Sequence, residues 1–581
     1  MLDMYLRTTK RKNKDGSVVT YYQLAHNLWD AENKQSFTRV IHNFGRADQL
    51  DRKQLVRLCK SIARVCDIQV TDALESVDER SDLPGLPENL QLVGTQELGT
   101  MVVIESLWER LGIGRILREI MQQSGCQVPY ERALLAMTAN RLCEPESKLG
   151  VWERWLKKVY LPSCQELKRH QMYEAMDVLY EHSEKVEEAI FFQVANLLDL
   201  VVDVVFYDTT TVSFSMDTED EDAQDSAALR KYGRSKEGTW SPQVVVALAV
   251  TREGLPIRSW VFPGNTADVQ TIQKVKSDLK GWKLGRALFV GDAGLNSEEN
   301  REELAKACGT YLLATRMGSV KEIKEEVLSR PGRYKELSEN LHVKEVIVGG
   351  QGVAQRRYFL CYNPREAKRQ DKHRQEVVQM LEVELAKHPD KSATAQWAIT
   401  AQWAIELLAS RRTKRYVTIT PAGQISINRK AISLEPSPEA SRTDGKWVLQ
   451  TNDHSLSTTD AAHAYKALAV IERCFRTLKR TQLKVNPVYH WLPRRIEAHV
   501  KICVLGLLIE RVAELECQQP WSHLRHVLSN LQATEFHTSS YHFFQRNEPS
   551  SELLNLLKKL TIPLPASVLS VVSLEKSQKN D

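Results

Sequence analysis

No C-x-x-C pair occurs in the 581 residues, and the closest two of the ten cysteines are Cys59 and Cys66. That spacing argues against a zinc site or a disulfide framework and for reduced thiols in a cytosolic protein. A leading apolar segment of the signal-peptide kind is also missing. So is a long uncharged apolar run. The most apolar late stretch, Val500 to Leu515, is interrupted by Lys501, Glu510, Arg511 and Glu514, so it reads as a core helix and no membrane partner is expected. Charge of one sign is scarce overall: 79 Lys and Arg face 74 Asp and Glu, for a net of +5. Composition alone therefore speaks only weakly for an acidic partner.

What is present is an ordinary globular composition, 42% hydrophobic and 26% charged, long enough for three or four domains with real cores. Charge is concentrated locally. Eight Lys and Arg lie between Arg473 and Lys501 against the single acid Glu497, and a second basic patch holds Arg7, Lys10, Arg11, Lys12 and Lys14. Such patches point to nucleic acid, with a solvated face as the plain alternative.

The pattern changes along the chain. Residues 1–81 read as a β-rich segment, with strand-like Val18 to Tyr22 and Phe37 to Ile41, followed by a helix over 50–66. Asp82-Leu83-Pro84-Gly85-Leu86-Pro87 is a linker. Residues 90–198 read as a helical module that could bind DNA or serve as scaffold, without a clear recognition helix. At Val201 to Asp208 a near-continuous apolar run predicts a buried central strand. Asp203 and Asp208 are five apart and so face opposite sides of it, and Asp208 closes the run. Gln243 to Phe262 predicts a hairpin, Val269 to Leu279 a helix, and Ala287 to Asp292 a second buried strand ending in aspartate. Residues 317–454 read as an inserted β-rich domain containing the tandem hexapeptide Thr394 to Ile399 and Thr400 to Ile405. Residues 521–581 read as a helical tail.

Ala464 to Arg480 predicts one helix. Ala464, Ala467, Leu468, Ile471, Cys474, Phe475 and Leu478 form an apolar stripe, and Tyr465, Glu472, Arg476 and Lys479 line its flank. If the two aspartate-terminated strands are parallel neighbours, Asp208 and Asp292 meet at one end of the sheet, and Glu472 supplies a third carboxylate. An oxygen-only cluster of this kind needs a cation, and Mg²⁺ or Mn²⁺ suits it. Two such ions would clamp the attacking and leaving oxygens of a phosphoryl displacement. Arg476 and Lys479 would hold phosphates of the polymer.

These motifs resemble those of DDE transposases of bacterial insertion sequences, in the insertion-sequence-four superfamily. The signature tyrosine, glutamate and lysine fall on Tyr465, Glu472 and Lys479, while Leu468 stands where the family has arginine, leaving Arg476 as a candidate substitute. Phe206 to Thr210 resembles the first aspartate motif and Val290 to Gly294 the second; Pro242 to Val246 and Pro263 to Thr266 resemble the block between. The resemblance implies an α/β fold with a ribonuclease-H-like catalytic core, over 199–316 and 455–520, interrupted by the inserted domain. It implies metal-dependent cleavage at element ends and strand transfer into target DNA, with Asp208, Asp292 and Glu472 as catalytic metal ligands and Tyr465 and Lys479 on DNA. It further implies double-stranded DNA as partner, a homodimer on that DNA, and a bacterial cytoplasmic location at the nucleoid. Some relatives stack a flipped base on an inserted-domain tryptophan; Trp397, Trp403 and Trp447 are candidates, against a plain core role. Two other readings stand beside this one. A haloacid-dehalogenase-type phosphohydrolase needs D-x-D, and position 210 is threonine. A catalytically inactive DNA-binding relic must be reconciled with three intact carboxylates.

Overall fold

A computed structural model describes residues 4–12, 18–30, 35–46, 61, 90–125, 128, 130–221, 228–318, 320–349, 355–386, 417–419, 425–427, 443–486 and 488–574. The helix expected over 50–66, both hexapeptides, Trp397 and Trp403 lie outside them, 61 apart. The chain divides into two compact units, 1–90 and 91–581. In the first, β1 (Met4–Lys12), β2 (Val18–Asp30) and β3 (Gln35–Arg46) form an antiparallel sheet in that order.

The second unit is mixed α/β, with several sheets and many helices. It opens with β4 (Gln91–Glu97) and six helices: α1 (Gly99–Arg110), α2 (Ile113–Gln123), α3 (Tyr130–Cys143), α4 (Lys148–Glu153), α5 (Arg169–Glu181) and α6 (Ser183–Leu197). The strands and helices of the central layer follow: β5 (Val204–Ser213), β6 (Lys231–Arg234), β7 (Trp240–Val250), β8 (Pro256–Pro263), α7 (Ile272–Gly281), β9 (Leu288–Gly291), α8 (Glu298–Ala305) and β10 (Tyr311–Thr315). Val is the commonest residue of β5, β7 and β9, as suits strands covered on both faces.

One ten-stranded sheet organises the unit. β5 runs parallel to β9, β9 parallel to β10, and β7 antiparallel to β5. β6 and β8 share the outer edge of β7, and where one gives way to the other Gly264 is obligatory: a Cβ there would sit 2.0 Å from the Gln243 carbonyl oxygen and 2.4 Å from that of Lys231. Beyond β10 the sheet continues through the segment expected to be inserted, with β11 (Lys335–Ser338), β12 (Leu341–Val348) and β13 (Arg356–Tyr362). After α9 (Pro364–Ala386) and the hairpin of β14 (Val417–Ile419) and β15 (Ile425–Ile427), β16 (Lys446–Thr451) fits between β13 and β10. The described strands of 317–451 other than β14 and β15 thus extend the central sheet. Trp447 lies on β16, half-buried against the core.

The helix expected over 464–480 is divided: α10 (Thr458–Ala467), a tight step at Leu468, α11 (Ala469–Arg476), and a π-helical turn over Thr477–Thr481. The step is made by two i→i−3 bonds, from Leu468 N–H to the Tyr465 carbonyl and from Ile471 N–H to the Leu468 carbonyl. No glycine or proline marks it. α12 (Pro493–Cys517) then packs on α3, α5 and β8. The tail corrects the helical expectation. α13 (Trp521–Leu528) and α14 (Ser551–Lys559) are present, but β17 (Gln532–His537), β18 (Tyr541–Arg546) and β19 (Val568–Ser573) join β4 in a second sheet, order β19-β18-β17-β4. Pairing with β4, more than 430 residues earlier in the chain, is invisible to local periodicity. Among the described residues no disulfide forms, and no helix is long and apolar enough to cross a membrane.

Candidate active site

Parallel pairing of β5 and β9 brings the two aspartates together. The register matches Tyr207 with Gly291, so Asp208 and Asp292 are the next residues along neighbouring strands. β5 does not end at Asp208, as its apolar run predicts. It continues to Ser213 through Thr209, Thr210, Thr211 and Val212, β-branched residues that suit a strand. β9 stops at Gly291, and Gly291 has no room for a side chain: a Cβ would meet Leu295 Cδ1 at 2.8 Å. The end of β9 therefore exposes the flank of β5 at Asp208, and Asp292 is exposed.

The signature helix borders the two aspartates through Tyr465. Ile471, Cys474, Phe475 and Leu478 are buried, as the apolar stripe predicts, and Glu472 and Arg476 are exposed along its flank. Tyr465, half-buried, gives its hydroxyl to the Asp292 carboxylate; burial first, then Asp292 and Glu472, push that hydroxyl well above the usual range and keep it protonated. Asp208 thus feels Asp292, and Tyr465 feels both Asp292 and Glu472, while the ligand oxygens of the three carboxylates do not all lie within 4.8 Å of one another. Burial lifts the Asp208 carboxyl to about 6; Lys236 and the Thr209 N–H oppose this, and Asp292 and Asp268 reinforce it. A carboxylate cluster this short of positive charge fits a hard, oxygen-binding cation, and it contains no imidazole or thiol that would favour a softer metal.

Three groups at the site were not foreseen. Asp268 accepts from Thr209 Oγ1 and, at 2.7 Å, from Lys236 Nζ. It lies two residues past the Pro263 to Thr266 block, where a carboxylate before a helix reads as an ordinary helix-start acid. Lys236 and Glu237 sit on the β6–β7 connection, which reads simply as a Lys-Glu-Gly turn. Glu237 binds Lys479 Nζ at 2.8 Å and Arg480 at 3.2 Å, and Lys479 foremost holds it below the usual carboxylate range. Much of the basic stretch is engaged in this way. Arg494 and Arg495 pair with Asp177, and Lys501 is buried against Glu187 at 2.7 Å, where it cannot reach a polymer. Asp203 sits just before β5, away from the cluster, in an exposed pair with Arg252.

Two family descriptions match the chain: the transposase DDE domain over residues 203–508, and the N-terminal domain of IS1634 family transposases over residues 6–75. No curated protein matches it. A cryo-EM structure of a piggyBac transposase synaptic complex with hairpin DNA aligns with 74% of this chain and 79% of its own, at 9% identity and a TM-score of 0.33.

Proposed function

Because the chain belongs to the DDE transposases, of the IS1634 insertion-sequence type, and is therefore a DNA-cleaving and strand-transfer enzyme, we propose that Asp208, Asp292 and Glu472 are its catalytic carboxylates and hold two Mg²⁺ or Mn²⁺ ions. The observation that carries this assignment is the side-by-side register of Asp208 and Asp292, with Tyr465 binding Asp292 and sharing the field of Glu472. The strand order β8-β7-β5-β9-β10, with β5 parallel to β9 and antiparallel to β7, supports a ribonuclease-H-like core. Neither a phosphohydrolase nor an inactive relic gains support from the site.

Divalent cations at these carboxylates would lower the pKa of an attacking water or 3′-hydroxyl and neutralise charge on the phosphate. The chain's own residues do the rest. Tyr465 fixes the Asp292 rotamer through its hydroxyl. Lys236, held by Asp268, offsets the carboxylate charge until the cluster is filled. Arg476, exposed beside Glu472, and Lys479, once it leaves Glu237, would meet the DNA backbone near the scissile phosphate. The substrate is the double-stranded end of the element and then its target, and the enzyme acts as a homodimer on DNA.

The test is nicking of labelled terminal DNA by Asp208→Asn, Asp292→Asn and Glu472→Gln. Each should lower cleavage by at least about a hundredfold, in line with loss of transition-state charge stabilisation, while retaining DNA binding. Their effects should not add, because the ligands act as a unit. Asp203→Asn should cleave at the parent rate per folded molecule. Parent-rate cleavage by Glu472→Gln would overturn the assignment.

A further inference from the structure

Arg141 on α3 and Lys148 at the start of α4 are both buried; Arg141 feels the Glu146 carboxylate, which lines the same recess, while Lys148 is met by no carboxylate among the described residues. The Lys148 ammonium meets one acceptor, His499 Nδ1 at 3.0 Å, while His499 Nε2 lies 3.3 Å from the Val485 carbonyl. Arg141 is met by backbone carbonyls of Lys484 and Glu146 and by Asn140 Oδ1; its Nε is unsatisfied, as is Asn486 Oδ1. Burial and the neighbouring guanidinium together hold Lys148 down to about 7. A buried guanidinium and a buried amine with only Glu146 to offset them favour a further negative group beside them.

They line a cavity of about 540 Å³ whose mouth carries Tyr489 and Trp491, both more than 60% exposed. Trp491 is steadied from behind, because Arg230 lies 5.6 Å from its ring and 5.5 Å from that of Phe214. The cavity also has a fixed place relative to the carboxylates. Val488 N–H bonds the Ser213 carbonyl at the far end of β5. That point is about 17 Å beyond Asp208 at strand spacing, or about five nucleotide steps of roughly 3.4 Å.

We propose that this cavity receives one unpaired nucleotide of the bound DNA, its phosphate on Arg141 and Lys148 and its base against Trp491 and Tyr489. Recessed cations behind an aromatic mouth suit a strand that has left the duplex, since a backbone phosphate within a rigid duplex stays outside the recess. The inference rests on terminal DNA lying at Asp208.

The test compares the full chain, without divalent metal, on a blunt terminal duplex and on the same duplex with a four-nucleotide single-stranded tail of either polarity. One tailed duplex should bind about tenfold tighter. Trp491→Ala and Lys148→Met should each abolish that gain and leave blunt-duplex binding within about twofold, while Trp491→Phe keeps most of it. A gain that survives Trp491→Ala, which alters an exposed side chain, or no gain from either tail, would overturn the proposal. Failure of the transposase reading shows differently, as equal binding of terminal and scrambled blunt duplex.

An independent observation lies on the second sheet. Glu535, His537 and His542 offer three ligand atoms within 4.8 Å of one another. Glu535 Oε1 is 2.9 Å from His542 Nε2 and 3.4 Å from His537 Nε2, and the latter has no hydrogen-bond partner among the described residues. Ligands about 2.0 to 2.1 Å from a tetrahedral zinc ion lie roughly 3.3 Å apart. The two histidines pair directly across the β17–β18 hairpin, so the backbone fixes their separation. We infer that these three residues bind a Zn²⁺-class cation, with the fourth position left to water. Calorimetry of the chelator-stripped full chain with Zn²⁺ should show a site that Mg²⁺ does not compete for. His537→Gln and Glu535→Gln should each weaken it at least tenfold, and Asp208→Asn should leave it unchanged. Zn²⁺ binding of the same stoichiometry and affinity in His537→Gln would overturn the inference.

Discussion

Lys236 and Glu237 are neighbours in the chain and answer opposite charges. The lysine neutralises Asp268 and bears on Asp208, and the glutamate takes Lys479 and Arg480. The same short connection therefore occupies both the carboxylate side and the cationic side of the site. On the proposed DNA contact of Lys479, Glu237 would compete with a phosphate for it. Glu237→Gln should raise affinity for terminal DNA several-fold and steepen the slope of log affinity against log salt by about one to two, as two cations become free to replace counter-ions. Salt titrations of the two proteins read this directly, and equal slopes would place Lys479 and Arg480 off the DNA. The positions of Asp208, Asp292 and Glu472 were legible because each closes or flanks an apolar pattern. Asp268, Lys236 and Glu237 were not, because they sit in connections whose composition says only that the chain turns.

At the scale of elements, α12 is apolar throughout its buried length except for a few charged groups, of which Glu510 is the least compensated. Burial, then Glu514, pushes its carboxyl up to about 8; Thr477 Oγ1 and Arg511 only partly oppose this, and Oε2 is unsatisfied. With the folded value above the unfolded one, Glu510 contributes fully below about pH 4.5, and that contribution is lost as pH rises towards 8. Glu510→Gln should therefore raise the denaturation midpoint at pH 8 and leave it unchanged at pH 4.5. A difference independent of pH would mean that shape, not charge, sets the effect. The helices α10 and α11 show where local reading stops. Their buried stripe follows from spacing alone, but the step at Leu468 comes from backbone bonding that no residue type announces. Leu468 itself is buried, so packing rather than a polymer contact occupies the position where the resembled signature has arginine.

At the scale of the molecule, one sheet joins segments that the sequence presents as separate. Apolar runs identify β5, β7, β9 and β10, and the hairpin of β7 and β8 follows from its Gly254 turn, where φ is +81°. The continuation through β10 to β16 and β13 does not follow, since pairing across a long intervening stretch leaves no periodic trace. The hexapeptide repeat belongs to that stretch. Six extra residues in a continuous helix would turn its downstream face by about 240°, so one copy is expected in a connection. Deleting Thr400 to Ile405 should preserve soluble expression and DNA binding, whereas aggregation of the deletion variant would show the second copy to be packed.

The order in which the sheet and its carboxylates are assembled also matters to the gene. Asp208 and Asp292 are translated well before Glu472, and β16, which covers the edge of β10, comes only shortly ahead of it. A premature stop or frameshift anywhere between codons 293 and 471 therefore yields a fragment with two of the three carboxylates, and one before β16 also leaves β10 unpaired on its outer side. With Glu472 as the proposed third ligand, such a fragment would not cut, and its open edge would invite association with other chains. On that assignment a single lesion in a long central stretch of the reading frame would be enough to silence the enzyme, and a partly read message would yield no active nuclease.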